Sequence, residues 1–132
     1  MKISQLFMVV GICLFVITPA AAQTPTFNDV APIFQTKCQS CHEPGSIAPF
    51  SLATYAEARP WARSIKTRVA TRQMPPWHID MHVGVTKFKN DMSLTDDQIA
   101  MISKWVDNGA PQGDPKDMPP AKTWPDANEW KG

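Results

Sequence analysis

The chain has 132 residues, with 13 Lys plus Arg, 12 Asp plus Glu, three His, three Cys and 13 Pro. That length suits one domain, and a formal charge of +1 excludes the basic surplus of a nucleic-acid binder.

The first 22 residues read as an export leader. Lys2 supplies a positive start, Leu6 to Ile17 is an apolar run, and Ala20-Ala21-Ala22 has the small-residue pattern that precedes a cleavage site. Cleavage is expected before Gln23. An uncleaved anchor needs about 20 apolar residues, and Ser4, Gln5, Thr18 and Pro19 cut this run short. A lipid anchor on Cys13 is disfavoured because Ile12 before it is not small and the apolar run continues past it. Cys13 therefore leaves with the leader. Removing 22 of the 132 residues leaves 110, with 12 basic against 12 acidic side chains and two cysteines. A periplasmic, unanchored domain is the expectation.

In the mature chain, Thr26 or Asn28 can cap a first helix through Val30, Ile33 and Phe34 to Lys37, apolar at helical spacing. It runs directly into Cys38-Gln39-Ser40-Cys41-His42. Two thiols at this spacing, followed at once by an imidazole, are the pattern of covalent c-type haem attachment, with His42 placed to bind iron. Three rival readings exist. Half of a zinc site would need His78 and His82 to complete it. A dithiol redox pair expects a βαβ setting, which these flanks lack. A structural disulfide leaves the adjacent His42 unexplained.

Residues 43 to 53 read as a loop by their two prolines and one glycine. An axial His usually donates its second ring N–H to a carbonyl. Pro44 to Pro49 is the expected source, with Pro49 the first choice, while Ile47, Phe50 and Leu52 are placed to pack round a porphyrin. Thr54 caps a following helical stretch in which Trp61, Ile65 and Val69 stand four apart, with Pro60 in its first turn. Most of its basic residues suit a solvated face, with Arg59 and Arg63 the candidates to pair with a haem propionate.

Met74-Pro75-Pro76-Trp77 follows. The two prolines stiffen the segment and hold the preceding residue extended, so Met74, 32 residues after His42, can present its thioether at a fixed height over iron. His78 and His82 compete as sixth ligands. Met81 and Met92 lie in loops without a rigid flank, Met101 is expected in the core of a helix, and Met118 lies in the tail. Trp77 is expected to wall the pocket, its indole N–H within reach of a propionate.

Thr95-Asp96-Asp97-Gln98 is a capping box for a last helix, with Leu94 and Ile99 placed as a hydrophobic staple. Ile99, Ile102, Trp105 and Val106 form its apolar stripe, and Asn108-Gly109-Ala110-Pro111 stops it. The remaining 111–132 stretch holds five prolines and two tryptophans, Trp124 and Trp130, and reads as an extended wrap or linker.

The order of helix, CxxCH, Met-Pro loop and C-terminal helix resembles the class I cytochrome c fold. More narrowly, CHEPGSIAPFSL, ARPWARSIKTRV, MPPW, FKNDMSL and WVDNGAPQGDP resemble the cytochrome c-like domain found beside bacterial copper type II, ascorbate-dependent monooxygenase domains. The likeness covers nearly all of residues 27 to 120. It implies covalent haem c on Cys38 and Cys41, His42 as proximal and Met74 as distal ligand, and first and last helices crossing near Phe34 and Trp105. The fused relatives continue into an enzyme domain where this chain ends, so monooxygenase chemistry is not carried over.

The resulting expectation is an all-α, cytochrome c-like fold of about three to five helices over residues 23–110, with a Pro-rich extension over 111–132. Function is expected to be electron transfer by one haem, as a monomer, to a redox partner such as a copper monooxygenase-type protein or another periplasmic oxidoreductase. Phe50, Trp61, Trp77 and Pro49 are expected round the haem. A labile sixth site would instead give a small-ligand sensor or a peroxidase-like enzyme.

Overall fold

A computed structural model describes residues 23–77, 79–80, 82–84 and 88–124. The leader, His78, Met81 and Trp130 lie outside the described residues. Among those described, the regular elements are all helical, with no strand: α1 (Phe27–Lys37), α2 (Tyr55–Ala58), α3 (Ala62–Ala70) and α4 (Asp96–Asp107), with 3₁₀ turns at Arg59–Trp61 and Pro115–Asp117.

Helix α1 starts where a local pair satisfies its free amides. The Thr26 backbone N–H and hydroxyl both donate to Asp29 Oδ2, at 2.7 and 2.8 Å. These bonds hold the Asp29 carboxyl below its ordinary value of 3.8. Asn28, the alternative cap, instead donates to the Asp114 carbonyl at 2.6 Å. The apolar stripe of α1 is fully inside: Phe27, Val30 and Phe34 have no exposed surface.

Helix α4 supplies the facing surface. Thr95 and Gln98 form the reciprocal box at 3.0 and 3.2 Å, and Ile102 and Trp105 are fully buried. Ile99 and Val106 are half-buried at the edge of the core, and Met101 is 40% exposed. The expectation of a core Met101 is thus corrected, because the stripe centred on Ile102 and Trp105 turns position 101 outward. Phe34 meets Trp105 edge to face at 6.0 Å, and Phe27 lies 5.9 Å from both, a favourable arrangement for ring quadrupoles. The α1–α4 contact at Phe34 and Trp105 is therefore present.

The chain after α4 closes this core. Gly109 and Ala110 take φ of 87° and 52°, reversing the chain so that the Pro111 carbonyl accepts both the Phe27 N–H at 2.8 Å and the Trp105 indole N–H at 2.9 Å. Tyr55 donates its hydroxyl to the Ala110 carbonyl at 2.9 Å. Residues beyond 110 stay on α1: Gln35 donates to the Pro120 carbonyl at 2.9 Å, and Met118 packs against the core. At Gly113, φ is +87° and an added Cβ would come within 2.8 Å of both Asn28 Nδ2 and Thr26 Oγ1. The first part of the Pro-rich extension thus belongs to the same packed body as residues 23–110.

The stretch after Thr54 is divided between α2, the 3₁₀ turn and α3. Its buried row is Ala58, Ala62, Ile65 and Val69, and the tighter turn at Arg59–Trp61 shifts Trp61 off that row. Trp61 is 43% exposed. Helix α3 packs on α4, and surface pairs Lys66–Asp107 and Arg72–Asp96 span the two. Exposed pairs of this kind contribute little on their own, about 0–1 kcal/mol.

Trp105→Phe keeps an aromatic ring but removes one donor from the Pro111 carbonyl and leaves a void. It is expected to lower unfolding free energy by about 1–3 kcal/mol in denaturant titration. The Asp29 carboxylate stabilises the fold above its ordinary pKa, and that contribution is lost as pH falls through the lowered folded-state value. In acid titrations followed by circular dichroism, Asp29→Asn is expected to flatten the acid limb of stability against pH.

Candidate functional site

The Cys38–His42 segment continues the end of α1 as one more turn. Cys38 and Gln39 donate backbone N–H groups to the Phe34 carbonyl at 2.9 and 2.8 Å, and Cys41 and His42 donate to the Cys38 carbonyl at 3.1 and 2.9 Å. Both thiols and the imidazole therefore hang from one rigid turn on the aromatic core. The loop that follows folds back on this turn. Ala48 N–H donates to Cys41 and Leu52 N–H to the His42 carbonyl, at 3.1 and 2.8 Å, while the buried Gln39 side chain donates to the Leu52 carbonyl at 3.0 Å.

This return loop sets the imidazole. His42 Nδ1 lies 3.0 Å from the Phe50 carbonyl, a separation that makes Nδ1 the protonated nitrogen and leaves Nε2 with the free lone pair. The acceptor is Phe50, one residue beyond the Pro44–Pro49 stretch expected to supply it. Pro49 is exposed, and the Phe50 ring lies 4.8 Å from the His42 ring and stacks on Trp61 at 4.3 Å and 13°. Phe50 and Trp61 are thus grouped at His42.

A cavity of about 530 Å³ lies elsewhere, between the end of α3, the segment after it and the start of α4. Its lining includes Val69, Arg72, Met74, Trp77, His82 and Leu94, and its size falls within the range of ordinary cofactor sites. Cys38, Cys41 and His42 do not line it. The connection between them runs through the 91–94 segment: Lys37, immediately before Cys38, donates to the Asp91 carbonyl at 2.6 Å, and Ser93 and Leu94 form part of the cavity wall.

Met74 is fixed by the way α3 ends. Arg72 takes φ of 55°, and Gln73 and Met74 then donate their N–H groups to the Arg68 carbonyl at 2.9 and 3.2 Å. Arg72 reaches across to the Leu94 carbonyl at 3.2 Å and to Asp96 at 2.5 Å. The Met74 side chain is 42% exposed at the cavity. Trp77 packs edge to face on Phe88 at 6.0 Å, and its buried indole N–H has no hydrogen-bond partner. A buried donor without a partner costs about 1–3 kcal/mol.

Arg59 and Arg63 are exposed on the 3₁₀ turn and α3 and do not line the cavity; Arg72 does. Composition does not single out Arg72 from its neighbours, because its reach to Leu94 and Asp96 at the cavity follows a left-handed backbone at the helix end. His82 lines the cavity and Met92 is half-buried outside its lining. Among the described residues, no three His, Cys, Asp or Glu side chains gather closely enough to hold a metal ion. His82 therefore does not join Cys38 and Cys41 in a zinc-type set. No described helix is long and apolar enough to cross a membrane.

The two thiols differ in setting. Burial, reinforced by the neighbouring Cys41, pushes the Cys38 thiol up to about 12, while Cys41 is exposed. Dithiol oxidoreductases work by the reverse shift, a lowered thiolate pKa, so this setting does not suit thiol exchange.

Comparisons with known protein families, with characterised proteins and with solved structures found no match for this chain.

In folded polypeptide lacking any cysteine modification, iodoacetamide at pH 8 is expected to label Cys41 before Cys38. Peptide mass mapping over time reads the order, and equal rates would contradict the more shielded, half-buried setting of Cys38.

Proposed function

We propose that the protein is an exported electron-transfer protein carrying one haem bound covalently through Cys38 and Cys41, with His42 and Met74 as axial ligands. The observation that carries this is the His42 ring. It follows two thiols on one helical turn, and its Nδ1 is committed to the Phe50 carbonyl, so Nε2 is the nitrogen offered to a metal. A haem in this setting supplies reversible one-electron chemistry.

The chain's own residues have separable tasks. Cys38 and Cys41 would fix the group to the end of α1, and the Phe50 carbonyl sets the tautomer of His42. Met74, held by the Arg68 carbonyl at the end of α3, offers a thioether. Arg72 would offer a donor to a propionate, and Trp77 would wall the pocket. With both His42 and Met74 bound, the metal would have no position free for substrate, as an electron carrier requires. The leader pattern supports export to the periplasm. The resemblance to domains that accompany copper monooxygenases supports a redox protein partner of that or a similar periplasmic kind.

A second reading has its own support. Asp80 and His82 line the same cavity as Met74, and a general acid or base beside a labile sixth site suits peroxide chemistry or small-ligand sensing.

Optical spectra of haem-loaded wild type and Met74→Ala, with and without carbon monoxide, separate the two. Electron transfer predicts a wild type that resists carbon monoxide and shows a ferric methionine-to-iron band. Met74→Ala loses that band and binds the gas. Ready binding by wild type would favour the second reading, and survival of the band in Met74→Ala would remove Met74 as ligand.

A further inference from the structure

We propose that Trp61 is a positioning residue for His42, acting through Phe50: the indole clamps the Phe50 ring, and the clamped residue holds its carbonyl on His42 Nδ1. The inference rests on His42 being an axial ligand.

Three contacts form one chain. Trp61 stacks on Phe50 at 4.3 Å with planes 13° apart, and Phe50 lies 4.8 Å from the His42 ring. The carbonyl of that same Phe50 lies 3.0 Å from Nδ1. The remaining ties between the loop and the Cys38–His42 turn attach at Ala48 and Leu52, on either side of Phe50. They bring the loop near His42 but leave the tilt of the peptide at Phe50 to what holds its ring. Trp61 holds it from outside the loop. The indole sits on a 3₁₀ turn flanked by buried Ala58 and Ala62, so its own position comes from the packing of that turn on α2 and on α3. This also explains why a large aromatic remains 43% exposed: one face is used by Phe50.

The functional consequence follows from the hydrogen bond. Donation from Nδ1–H makes the imidazole a more basic ligand, which stabilises the ferric state and lowers the potential. Loosening Phe50 weakens that donation and raises the potential. Greater water access alone acts in the opposite direction, because water favours the more highly charged ferric site.

The test uses haem-loaded protein and two readouts: the reduction potential and the solvent-exchange rate of the His42 Nδ1 proton by NMR. Trp61→Ala is expected to speed exchange at least tenfold and raise the potential. Trp61→Phe, which can still stack, is expected to restore both towards wild type. Should the alanine variant fail to mature, Trp61→Leu keeps bulk without the stacking plane and is expected to behave as alanine would. Unchanged exchange in Trp61→Ala, or a fall in its potential even with faster exchange, would overturn the proposal. Absence of covalent haem in the wild type would remove the axial-ligand reading itself, and is seen before any variant is made.

Discussion

The contact on which the rest depends is the packing of Phe27 and Phe34 of α1 on Trp105 of α4, locked by the shared Pro111 carbonyl. Two fully buried helix faces meet there, and one acceptor satisfies both the first free amide of α1 and the indole N–H of α4. Burial of rings this large contributes the main apolar driving force available to a small domain. It also fixes the direction in which α1 ends. Because Cys38–His42 is simply the next turn of that helix, its orientation is inherited from a contact one to three turns away.

The rest of the site is arranged by chain reversals rather than by helices. The return of residues 48–52 brings the Phe50 carbonyl to His42, and the left-handed Arg72 ends α3 so that Met74 faces the cavity. Lys37 joins the two regions through Asp91. Each reversal rests on a few backbone hydrogen bonds between loop and helix end, so the site is built from the same bonds that terminate the helices. Its cost is visible at Trp77, whose buried N–H remains unpartnered.

Much of this was legible in the sequence because the signals are local. The capping box at Thr95, the apolar periodicity of α1 and α4, and the stop at Asn108–Pro111 all depend on neighbours a few residues apart. The helical class follows from them. Non-local features were not legible in the same way. The His42 acceptor falls one residue beyond the expected stretch, since proline and glycine content marks a loop without fixing which carbonyl it presents. Trp61 matched the helical spacing of Ile65 and Val69, yet a 3₁₀ turn moves it off their row and onto Phe50. The arginine that lines the cavity is Arg72, at a positive φ that nothing in its immediate sequence announces. Met101 satisfies a helical apolar spacing but lies outside the narrow stripe that α1 covers.

The central claim is that Cys38 and Cys41 hold a haem covalently. Its most direct test is peptide mass spectrometry of protein matured in a periplasm with cytochrome c assembly, after denaturation and acid extraction. The peptide spanning 38–42 is predicted to carry one haem through two thioether bonds, with red colour retained by the denatured chain. An unmodified peptide, or colour that leaves with the acid solvent, would contradict the claim.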